Sequence, residues 1–128
     1  MSRMPFEYAV LRAVPRVDRG ERINVGVIVY CQQADYLDAR WQLDQDRLRV
    51  LDPGIDVAVV GAALAAIDAA CAGGEAAGPA GRLTQGRRFR WLTAPRSTVL
   101  QPGAVHAGLT SDPAAELARL FDRLVATP

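Results

Sequence analysis

The stretch ERINVGVIVY, residues 21–30, constrains the fold more than any other part of the chain. Counting Gly26, seven of its ten residues are apolar, and most are β-branched. Such side chains crowd a helix but pack well on a pleated surface, so the stretch predicts a strand. At a period of two, Ile23, Val25, Val27, Val29 and Cys31 share one apolar face. Arg22, Asn24, Gly26, Ile28 and Tyr30 form the other, polar at its start and apolar at its end. A glycine inside a strand marks a place where a neighbour packs closely, and an alanine-faced helix is the expected neighbour.

The segments around this strand fill in a sheet. Residues 6–14 place Phe6, Tyr8 and Val10 on one face and Ala9, Leu11 and Ala13 on the other, as in a central strand covered on both sides. Pro15 stops it, because proline donates no ladder hydrogen bond. The charged turn that follows contains Gly20, which suits a positive φ, and its shortness favours an antiparallel hairpin. Residues 36–43 alternate, with Leu37, Ala39, Trp41 and Leu43 inward and Tyr36, Asp38, Arg40 and Gln42 toward water.

Helices account for most of the remainder. Residues 44–51 form a short helix capped by Asp44, or a bend. Asp52 as N-cap and Pro53 at the first position open a clear helix with Ile55, Val59, Val60, Leu64, Ile67 and Cys71 on one side, closed by Gly73 and Gly74. Its small residues Ala58, Gly61, Ala62, Ala65 and Ala66 allow close approach to a sheet. GGEAAGPAG reads as a flexible surface loop. A short helix over residues 85–92 and a short strand over 98–101 follow. The last helix is capped by Asp112, starts with Pro113 and carries Leu117, Leu120, Phe121 and Leu124 as its stripe. The sum is one α+β domain over residues 1–128: an antiparallel sheet of three or four strands with helices packed on one face.

Composition narrows the chemistry. All fifteen basic residues are arginine, which removes Schiff-base and P-loop lysine chemistry. Cys31 and Cys71 sit in apolar surroundings and are expected as buried free thiols. With a single histidine they make no recognised zinc spacing, so neither a metal nor a cofactor is expected. Residues 57–71 are too short and too interrupted for a membrane span, and the N-terminus lacks a signal-peptide core, so a cytoplasmic protein without a membrane partner is expected. Charge is uneven. Residues 31–75 carry a net of −5, whereas residues 76–111 hold five arginines and no acid. The halves either neutralise each other, or the second forms a basic surface for a phosphate or an acidic partner.

Three groups of residues remain as candidates. His106 is expected as a hydrogen-bonded loop residue, and nothing like a nucleophile elbow activates Ser97 or Thr98. In GRRFRWLTAPR, Arg87, Arg88, Arg90 and Arg96 could meet phosphates while Phe89 and Trp91 stack on bases, although Phe89 and Leu92 are spaced as core anchors. Glu21, Arg22 and Asn24 form a polar group at the head of the second strand. Asn24 can bond irregular backbone, Glu21 can pair with an arginine of the turn, or the group forms a ligand-binding edge.

YAVLRAVPRVDRGERINVGVIVYC, together with RFRWLTAPRSTVLQP, HAGLT and LARLFDRLV, resembles the bacterial family called domain of unknown function 3037. The resemblance runs from Tyr8 to Val125. Its marks are Tyr8, Pro15, Glu21, Asn24, Val25, Gly26 and Val27, then Pro95, Arg96, Ser97 and Thr98. It implies no established activity and no catalytic residue. It does imply a protein partner, since some members are encoded beside kinase-like proteins resembling HipA toxins. The expected function is a non-enzymatic binding or protein-interaction module, accessory to a HipA-like kinase or acting by self-association. One alternative is a small enzyme or nucleotide-handling domain whose site joins Glu21, Arg22, Asn24, Arg96 and Ser97. The other is nucleic-acid binding through Arg87, Arg88, Arg90 and Arg96.

Overall fold

In the computed structural model, which describes residues 2–126, strand β1 (Met4–Ala13) is the centre of the sheet. On one side it pairs antiparallel with β2 (Ile23–Cys31), which pairs in turn with β3 (Tyr36–Trp41). Its other edge is shared by two short strands: β4 (Leu100–Pro102) along its second half and β5 (His106–Thr110) along its first. The fold is α+β, as expected, and the meander and the central place of β1 follow the sequence. Among the described residues the sheet has five strands, where three or four were expected. The added strand is β5, which includes His106. That residue is therefore on a sheet edge rather than in a loop, with its ring 5.2 Å from that of Tyr8.

One irregularity reorganises β2. Leu11 pairs with Gly26 but Arg12 pairs with Asn24, so Val25 is left over as a β-bulge. A one-residue slip exchanges the faces of a strand. Ile23 and Val25 therefore lie on the same side as Ile28 and Tyr30, in one core cluster. Val27, Val29 and Cys31 lie on the other side, in a second. The single face of five apolar residues is not formed. Gly26 does admit a close neighbour, but across the ladder: a Cβ there would stand 2.9 Å from Trp41 Cβ and 3.2 Å from Leu11 Cδ1. The neighbour is a strand and a core leucine, not a helix.

Because β2 is apolar on both sides, both need a cover, and the helices lie on two faces rather than one. The described residues form four α-helices: α1 (Gln45–Leu51), α2 (Val57–Ala72), α3 (Gln85–Thr93) and α4 (Pro113–Leu124). Leu48 of α1, Val60, Leu64 and Ile67 of α2, and Phe89 and Leu92 of α3 fill the first core. Leu117, Leu120 and Phe121 of α4 close the second. The face of β3 expected to be wet lies under α4: Tyr36 packs into the second core and the Arg40 guanidinium stands 5.1 Å from the Phe121 ring.

Capping sets the helix limits. Asp44 accepts from Arg47 N, so residues 45–51 are a helix and not a bend. Helix α2 starts later than Asp52–Pro53 suggests, at Val57 behind Asp56, whose carboxylate accepts from Ala58 N. Asp52 is occupied elsewhere: its N–H closes α1 on Leu48 O and its carboxylate holds Gly54 N. Val60, Leu64, Ile67 and Cys71 form the inward stripe of α2, and Val59 falls off it, 51% exposed. Gly73 ends the helix at φ +77°. Residues Glu75–Arg82, expected as a flexible surface loop, form 3-10 turns broken at Gly78. Asp112 and Pro113 start α4 as expected. Among the described residues, no single helix is long and apolar enough to cross a membrane.

Cys31 and Cys71 are buried free thiols, as expected. Burial first, and then Asp38 and Asp68, pushes the Cys71 thiol from 9.0 up to about 12. The fold holds the neutral thiol, so this contribution to stability is complete below pH 9 and is lost as pH rises toward 12. Burial, then Asp38 and Asp112, pushes the Tyr36 phenol from 10.0 up to about 12, and it adds to the same slope above pH 10. Melting temperatures are expected to fall progressively above pH 9. In Cys71→Ala the fall between pH 9 and 11 should be shallower than in the parent, as thermal melts by circular dichroism would show; an unchanged slope would exclude Cys71 as its source.

Candidate functional site

The sheet separates the residues proposed to share a site. At the head of β2, Glu21 is exposed and accepts from Arg19 Nε at 2.6 Å, the expected pairing with an arginine of the turn. Asn24 faces α4 and donates from Nδ2 to Leu124 O at 3.2 Å. The bulge aims it there. Arg22 lines an open cleft beside it, with Arg47 and Arg123. On the opposite face, Arg96 follows the end of α3. It donates to Ala94 O at 3.3 Å and to Trp91 O, and its guanidinium stands 5.5 Å from the Trp91 ring. Ser97 next to it is exposed. Asn24 and Arg96 therefore do not line one cavity.

The other arginines are also dispersed. Arg88 is buried, 8% exposed, and its fork donates to Leu83 O at 2.7 Å and Cys71 O at 3.4 Å. It holds the carbonyl end of α2, a place where a helix favours a cation. Arg90 makes a bidentate pair with Glu7, 2.6 and 2.7 Å. Phe89 is fully buried and stacks on Tyr30. Of Arg87, Arg88 and Arg90, only Arg87 is exposed without a carboxylate partner among the described residues. Among the described residues, no three His, Cys, Asp or Glu side chains gather to hold a metal ion.

What the same segment does build is an apolar cleft around Trp91. Phe89 and Leu92 face the core, so Trp91 falls off the inward stripe of α3 and is 50% exposed. On one side it bounds a cleft of about 190 Å³ floored by Ala63, Ala66 and Ile67 of α2 and by Leu100 and Pro102 of β4, with Arg96 and Thr98 at its edge. On the other side it bounds a cleft of about 330 Å³ with Ala77, Pro79, Ala80 and Leu83. Trp91 is thus a ridge between two apolar depressions, in a stretch that contains no acid between residues 76 and 111. The sequence points to Trp91 as an exposed aromatic among arginines. It does not show the floor, which comes from elements far along the chain.

Comparison with known families matches residues 8–125 to the model of a protein of unknown function, DUF3037. The chain belongs to the DUF3037 family. No curated protein and no solved structure matches it. In this DUF3037 chain, the two segments that mark the resemblance serve different surfaces. Asn24 and Gly26 hold the bulged strand against α4 and β3, while Arg96 and Thr98 rim the Trp91 cleft.

Proposed function

We propose that this chain is a non-enzymatic binding module of the cytoplasm that docks an acidic segment of a protein partner over Trp91. The observation that carries this reading is a half-exposed tryptophan standing between two apolar clefts in an arginine-rich, acid-free stretch. An aromatic ridge beside apolar depressions is the usual anchor of a protein interface, and tryptophan and arginine dominate binding energy there. Arg82, Arg87 and Arg96 have no carboxylate partner among the described residues, which favours a partner that brings its own acids. A HipA-like kinase is the first partner to test, on the strength of the family resemblance. Nucleic acid fits less well, because Arg88 is buried and Arg90 is neutralised by Glu7.

Panning a random-peptide library on the immobilised protein tests the reading, with Trp91→Ala as counter-target. Enriched peptides should combine Asp or Glu with a large apolar residue. They should bind Trp91→Ala at least about tenfold more weakly, the loss expected for an interface anchor. No enrichment, or peptides that bind both proteins equally, would refute it.

A further inference from the structure

A second surface is separate from the Trp91 cleft and lies at the head of β2, between α1 and the end of α4. Arg22 precedes β2, Arg47 is on α1 and Arg123 is in the last turn of α4, and all three line one open cleft of about 510 Å³. The other lining residues are Ile23, Asn24, Leu124, Val125 and Ala126, so no carboxylate lines it among the described residues. None of the three guanidinium groups makes an ion pair within the described chain. Arg16, Arg19, Arg90 and Arg119 each face an acid, and what distinguishes Arg22, Arg47 and Arg123 from the other unpaired arginines is that the three share one cleft.

The simplest structural role for these three would be to cap the carbonyl end of α4. That role is filled by a neutral group, since Asn24 donates to Leu124 O and none of the three arginines hydrogen-bonds a helix-end carbonyl. Three like charges brought to one concave surface from three separate elements, with no acid among them, make its potential positive and favour an anion there. Guanidinium forks match phosphate geometry bidentately. The volume falls within the roughly 300–1,000 Å³ of small-molecule sites and exceeds what a lone phosphate needs. We propose that Arg22, Arg47 and Arg123 form a binding site for the phosphoryl group of a small molecule, with Asn24 fixing the floor of the cleft.

The test is an NMR titration of the intact chain with inorganic pyrophosphate and, separately, ribose 5-phosphate, each against sodium chloride at equal ionic strength. The arginine Nε–Hε signals of Arg22, Arg47 and Arg123 should shift together and saturate. That of Arg119, paired with Glu116 on the outside of α4, should not follow. Arg47→Gln and Arg123→Gln replace exposed residues, so both should fold, and each should weaken binding about tenfold or more. Saturation by pyrophosphate alone would assign the site to free polyphosphate, and saturation by both to phosphate esters. Shifts reproduced by chloride, or unchanged in both variants, would overturn the proposal.

Discussion

Gly26→Ala is expected to destabilise the protein by about 1–3 kcal/mol, and Gly26→Val by more. An added Cβ would meet Trp41 Cβ at 2.9 Å, Arg40 O at 3.0 Å and Leu11 Cδ1 at 3.2 Å. The first two are at or next to the backbone of β3 and cannot swing aside. Leu11 is fully buried but meets the added Cβ only with the end of its side chain, so the two contacts with β3 set the cost. Alanine in place of a strand glycine would by itself gain about 0.5–1 kcal/mol, which does not offset such overlap. The strain should pass to Trp41, whose Nε1 donates to Asp68 Oδ2 at 2.9 Å and ties β3 to α2. Urea unfolding followed by tryptophan fluorescence would show a lower midpoint and a changed native emission. A neutral Gly26→Ala would mean that β3 is free to move away from β2.

The second large effect is expected at Arg88. Arg88→Ala should cost about 2–4 kcal/mol. The guanidinium lies over Gly73, where a Cβ would be 3.1 Å from Cζ, and it serves two carbonyls, one of them Cys71 O in the last turn of α2. Removing it leaves both without that donor and opens a void over Gly73. Its Nε has no partner, so part of the burial penalty is uncompensated and the pair of carbonyl bonds must outweigh it. Arg88→Lys keeps the charge but loses the fork, and should fall between parent and alanine variant. Denaturant midpoints for the three proteins check this order. Arg88→Met as stable as the parent would show that packing alone, and not the carbonyl contacts, keeps the arginine there.

Both effects show what sequence patterns reach and what they miss. The strand identity of residues 23–31 is local chemistry, carried by β-branched side chains. Its phase is not local. Val25, Val27, Ile28 and Val29 are apolar whichever way they face, so alternation carries no mark of the bulge at Val25. Without the bulge, the second core and the helix layer that covers it are also hidden. Strand β5 is held by backbone pairing along an exposed edge, where His106, Ala107 and Leu109 face solvent and leave no burial pattern to read. Asp52 and Asp56 are equally good caps by type. The choice between them follows from Asp52 already closing α1. Arg88 looked like one charge among several because its partners lie in the preceding helix and turn. Trp91 was legible as a residue, but the cleft was not, since its floor is shared by α2 and β4.

The function proposed here rests on Trp91, and the chain offers a direct way to watch it. There are two tryptophans, so the spectrum of an isotope-labelled sample has two indole N–H signals. Trp41 is tied to Asp68, whereas Trp91 stands on the surface between the two clefts. On titration with an acidic peptide recovered by panning, the Trp91 indole signal should move and saturate while that of Trp41 stays in place. Movement of Trp41 alone, or of neither while the peptide binds elsewhere, would contradict docking over Trp91.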